Sequence, residues 1–95
     1  MQAMPLSEPH PFTEAELATA PATAGVYVLF QVENPIHSNE ADNLRAQLRK
    51  EKLDFPRATH FAVETGHVDA QRRAARLQEV QAQLDRVRSR TFTGR

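Results

Sequence analysis

Gly25-Val26-Tyr27-Val28-Leu29-Phe30-Gln31-Val32 decides the fold of this chain. The run is β-branched and aromatic, opens on glycine and closes on Glu33-Asn34-Pro35, which carries turn chemistry. Side chains alternate along a strand, so Val26, Val28 and Phe30 share one face and Tyr27 and Leu29 the other. Apolar residues on both faces predict a central strand covered on two sides.

Working outward, Ile36-His37-Ser38 returns as a shorter and more polar second strand. From Ala58 to Glu64, Thr59, Phe61 and Val63 alternate with His60, Ala62 and Glu64, which predicts a third strand with an apolar and a polar side, placed at an edge. Between these strands Asp42 or Asn43 caps a helix through Leu44, Leu48 and about Lys52. Upstream, Thr13 and Glu16 form a capping box for a short helical turn that Pro21 ends. Downstream, about Val68 to Arg88 has neither Gly nor Pro, and Ala70, Ala74, Leu77, Val80, Leu84 and Val87 recur at helical spacing. The fold class is therefore α/β: a small three-stranded antiparallel sheet flanked by helices, with a long C-terminal amphipathic helix.

The expected divisions are a flexible lead-in with its helical turn over residues 1–20, one domain over 21–90 and a disordered tail over 91–95. A chain of 95 residues with 40% apolar content suits one domain. It has no cysteine, which excludes disulfides and thiol chemistry. The longest apolar run, Val26 to Phe30, is too short to span a bilayer, so a soluble, cytoplasmic protein with no membrane partner is expected. Twelve basic and twelve acidic residues cancel, but unevenly: five Lys/Arg face nine Asp/Glu up to His67, and seven Arg face three acids after it.

The order of elements is also that of the GIY-YIG endonuclease domain. Gly25-Val26-Tyr27 looks like that family's first motif, Asn43-Leu44-Arg45-Ala46-Gln47-Leu48 resembles its N-L-x-x-R-L helix start, and Asp69-Ala70 is similar to the E-A pair of its last helix. The likeness covers about residues 21–88. It implies hydrolysis of a phosphodiester, with two tyrosines positioning the nucleophile, an Arg on the first helix supporting the phosphate and a Glu on the last helix holding a divalent ion. Carried over to this chain, the first tyrosine is Tyr27, but the second falls on His37, the Arg on Gln47 and the Glu on Ala74. Loss of both the Arg and the metal ligand implies loss of catalysis, so these are vestigial positions and no metal or other cofactor is expected.

Three functional readings follow. The leading one is an inactive nuclease-like scaffold that binds a protein partner or assembles with itself. In it, Leu77, Val80, Leu84 and Val87 carry a short heptad pattern for self-association, set against the simpler use of that stripe to dock on the chain's own sheet. The second is a nucleic-acid-binding module in which Arg72, Arg76, Arg86 and Arg90 track phosphates along one helix face, set against a solvated face with local ion pairs. The third is an endonuclease dependent on Mg²⁺ or Mn²⁺, with a rearranged site around Tyr27, His37 and Glu64. His60, Glu64, His67 and Asp69 offer two histidines and two carboxylates, the donor types for Zn²⁺ or Mn²⁺, with His37 as a candidate base beside them, although water-facing histidines and carboxylates need no such role.

Overall fold

A computed structural model of the chain describes residues 6–67 and 69–93, with side chains as far as Arg86. Four strands, β1 (His10–Pro11), β2 (Gly25–Gln31), β3 (Asn34–Ala41) and β4 (His60–Thr65), combine with helices α1 (Glu14–Leu17), α2 (Leu44–Asp54) and α3 (Ala70–Thr93). The sheet is antiparallel throughout, in the order β1-β4-β2-β3. No described helix is long and apolar enough to cross a membrane.

The helix starts follow the local chemistry. Thr13 accepts from the Glu16 amide, and Asn43 accepts from the Ala46 amide at 3.0 Å, each satisfying a donor that the first turn leaves open. β2 is central, as its two apolar faces require.

Four strands replace the expected three. The extra one, β1, pairs His10 with Phe61 and Pro11 with His60. It is two residues long and contains a proline, so it has no alternation to read, and it lies at an edge, where a missing amide hydrogen is tolerated. β4 is consequently flanked on both sides rather than standing at an edge, while β3 is an edge strand. The segment expected as a lead-in contributes β1 and α1 and buries Phe12, Leu17 and Ala20, so the packed unit begins before residue 21. At the other end α3 continues to Thr93, into the segment read as a tail.

The two faces of β2 build two cores. Tyr27 and Leu29 pack with Phe61 under Phe12, Leu17, Leu44 and Leu48, contributed by the N-terminal segment and α2. Val28 packs with Val80 and Leu84 of α3, joined by Leu6 and Phe30. Because adjacent residues of a strand point to opposite faces, α2 and α3 lie on opposite sides of the sheet. Gly25 makes the closest approach: a Cβ there would overlap the Glu64 carbonyl oxygen and lie 2.8 Å from Leu44 Cδ1. Its lack of a side chain, rather than backbone freedom on entering the sheet, is what the fold uses.

α3 turns an unexpected face inward. Arg73 and Arg76 share that face with Val80 and Leu84. Arg73 donates to Glu40 at 2.9 Å, to Asp42 at 2.8 Å and to the His67 carbonyl at 3.2 Å. Arg76 donates to both oxygens of Glu64, at 3.1 and 3.0 Å, and to Glu79 at 2.8 Å. Burial works against the Arg76 charge, and the hydrogen bonds and charges of Glu79 and Glu64 outweigh it, so its pKa rises. The acidic front and basic back of the sequence thus meet, in part, inside one molecule.

Candidate functional site

Three of the four positions to which the family resemblance assigns chemistry converge on a residue that sequence reasoning missed. β2 carries Tyr27 beside Asn39 of β3, with His37 two residues along on the same face. α2, packed through Leu44 and Leu48, presents Gln47 and, one turn later, Glu51. Tyr27 donates its phenolic hydrogen to Glu51 Oε2. The same oxygen lies 3.1 Å from His37 Nε2 and accepts from Gln47 Nε2 at 3.4 Å. Glu51 is 5% exposed and Tyr27 fully buried. A carboxylate this deep is tolerated because its partners replace the water it lost.

The His37 ring stacks on Phe55, with centroids 4.5 Å apart. Its side chain is about a quarter exposed, which makes it the most accessible member of a pair that is otherwise enclosed. Burial, then the hydrogen bond and the negative charge of Glu51, raise the Tyr27 pKa far above its ordinary value, with Gln47 acting in the opposite direction. Tyr27 therefore remains a neutral hydrogen-bond donor across the ordinary pH range. It is poorly suited to take a proton from a nucleophile, which demands a pKa near the working pH.

Glu51 had a readable signal. Four residues after Gln47 on a helix is about 40° around the axis, so any group arranged about Gln47 would meet Glu51 as well. Ala74, the fourth position to which the resemblance assigns chemistry, is on α3, which covers the other side of the sheet.

The remaining candidates are dispersed. Glu64 is buried on the α3 face, bonded to Arg76 and His67, so Tyr27, His37 and Glu64 do not form one site: strand alternation sets Glu64 across the sheet from the other two. His60 engages Thr59 Oγ1 at 2.8 Å, and Asp69 accepts from the Gln71 amide at 2.9 Å. Among the described residues no group of three or more His, Cys, Asp or Glu could hold a metal ion.

On α3, Arg72 and Arg86 are exposed, but Arg76 is largely buried in its ion pairs and leaves the expected phosphate-tracking stripe. Val80 and Leu84 are buried in the chain's own core and Leu77 is half-buried, so this described part of the stripe docks on the chain's own sheet. The pattern of apolar residues is the same for both uses; only the second core, which β2 supplies, decides between them. The side chains of Val87 and Arg90 lie outside the described residues.

Compared with family models, with curated proteins and with solved structures, the chain matches none of them.

Proposed function

We propose that the chain is a non-hydrolytic module of nuclease-like, GIY-YIG-type plan that works in the cytoplasm by binding protein, a second copy of itself included. One observation supports this most: the Glu51 carboxylate is buried and bonded to Tyr27, His37 and Gln47. The groups aligned with the family's chemistry thus hold one another, and a phenol that donates to a carboxylate is not free to activate water. The absence of cysteine and the balanced charge fit an intracellular protein-binding role. Phosphate binding through α3 has less support, because Arg72 and Arg86 stand about 21 Å apart along the helix with Arg76 withdrawn between them.

Titration calorimetry with Mg²⁺ and Mn²⁺, run beside a plasmid-cleavage assay, tests the proposal. The expected result is no saturable heat and no nicking above a buffer control. Metal-dependent nicking that Glu51→Gln abolishes overturns it.

A further inference from the structure

At one end of the molecule the β2–β3 turn, the last turn of α2 and the loop into β4 meet. Val32, in that turn, has φ of +60°, a conformation that a β-branched residue rarely adopts. Its amide donates to Thr59 Oγ1 at 2.7 Å, and the Thr59 amide donates to the Phe30 carbonyl at 2.7 Å, which holds the turn against the start of β4. Val32 is 67% exposed and Leu53, on α2, is 83% exposed; they are the exposed large hydrophobic residues among those described. Next to each in sequence, Gln31 and Asp54 border an open hollow of about 300 Å³ whose apolar lining is Ile36, Phe55 and Pro56. Arg57 completes its rim.

The rim carries one acid and one base, and among the described residues neither Asp54 nor Arg57 takes part in an ion pair. A patch with an apolar centre and opposite charges on its border is self-complementary about a two-fold axis, because each acid then meets the other copy's base. The chain's formal net charge is zero, so two copies meet without net repulsion. Among the described residues none covers the Val32 side chain, which stays 67% exposed.

We propose that this end face joins two copies of the chain in a weak two-fold dimer. Val32 and Leu53 of each copy cover the Ile36, Phe55 and Pro56 hollow of the other, with Asp54 opposite the other copy's Arg57. The inference rests on the reading of the chain as a protein-binding module and names its partner and surface. A patch of so few residues belongs with weak, transient contacts rather than with standard interfaces.

Sedimentation velocity of the full chain over a wide concentration range tests the dimer. The wild type is expected to shift from monomer toward dimer as concentration rises. Leu53→Asp weakens the association about tenfold or more without loss of fold, since the side chain is exposed. Asp54→Arg and Arg57→Asp each weaken it by placing like charges opposite one another, and the double reversal recovers most of the loss because opposite charges meet again. A wild type that stays monomeric at millimolar concentration overturns the proposal and leaves the hollow to another occupant. Association indifferent to Leu53→Asp and to the charge reversals also overturns it, placing the contact elsewhere while the module reading stands. Cleavage of DNA would instead count against the module reading and leave the dimer untouched.

Discussion

The Tyr27 phenol and the Glu51 carboxylate, 24 residues apart in sequence, form a hydrogen bond in the core between β2 and α2. The pair fastens the helix to the central strand at the place where the family resemblance would put a reacting phosphate. Each residue makes the other's burial tolerable, so removing one partner is more damaging than removing both. Tyr27→Phe is expected to cost about 1–3 kcal/mol, since Glu51 keeps only His37 and Gln47. Glu51→Leu alone leaves an unsatisfied phenol, and the Tyr27→Phe, Glu51→Leu double variant is expected to lose less than the sum of the two. Urea denaturation of the four proteins reads the coupling; additivity would mean that the pair is not one unit.

The same pair sets an alkaline limit. Burial and the Glu51 charge raise the Tyr27 pKa in the folded protein above the ordinary value of 10.0. The stability this represents is fully present below about pH 10. Above that, the unfolded chain releases the proton while the folded chain keeps it, so stability falls by about 1.4 kcal/mol per pH unit. The sequence has one tyrosine and no tryptophan, so tyrosinate absorbance reports a single site. It is expected to appear together with unfolding, and Tyr27→Phe removes this component of the slope. Tyrosinate formed at pH 10 in a folded protein would contradict the buried bond.

Two glycines separate close approach from backbone conformation. At Gly25 an added methyl group meets backbone on β4 and Leu44, so Gly25→Ala is expected to cost more than about 2 kcal/mol through displaced strands. Gly66 has φ of +99° with open space around it, so Gly66→Ala costs about 1 kcal/mol through conformation alone. Thermal unfolding of the two variants gives the order directly, and a larger loss at Gly66 would contradict the packing at Gly25.

Much of this architecture is legible in local chemistry. Alternation in Gly25–Gln31, the caps Thr13 and Asn43 and the long helix all depend on near neighbours, which the sequence displays. What escapes depends on distant partners. β1 is recognisable only from β4, because His10 and Pro11 have no pattern of their own. The inward face of α3 includes Arg73 and Arg76; Arg76 reads as part of a solvated face until Glu64 is brought beside it, and Arg73 shows no role until Glu40 and Asp42 reach it. Glu51 shares a helix face with Gln47, but its role appears only when β2 and β3 deliver Tyr27 and His37 to the same point. At the candidate site, sequence identified three of the four converging residues but not the acid that joins them.

Val32 offers a gain of stability rather than a loss. Asparagine enters the left-handed region far more readily than valine, and the side chain at this position is exposed. Val32→Asn is expected to stabilise the monomer by about 1 kcal/mol, seen as a higher denaturation midpoint with an unchanged denaturant slope. A less stable variant would mean that the valine side chain packs against its own turn in solution.

Introducing the groups that the resemblance calls for tests the placement of α3. Gln47→Arg puts a guanidinium beside Glu51, a neighbour able to pair with it, so the fold is expected to survive. Ala74→Glu adds a carboxylate on α3, whose Val80 and Leu84 pack on Val28, across the sheet from Tyr27. The two new groups therefore lie on opposite sides and cannot share a phosphate or a metal ion. The double variant is expected to leave plasmid DNA intact with Mg²⁺ or Mn²⁺, although it carries both residue types. Metal-dependent cleavage by the double variant, absent from either single one, would require residue 74 to reach the Tyr27 side and would overturn this arrangement of the helices.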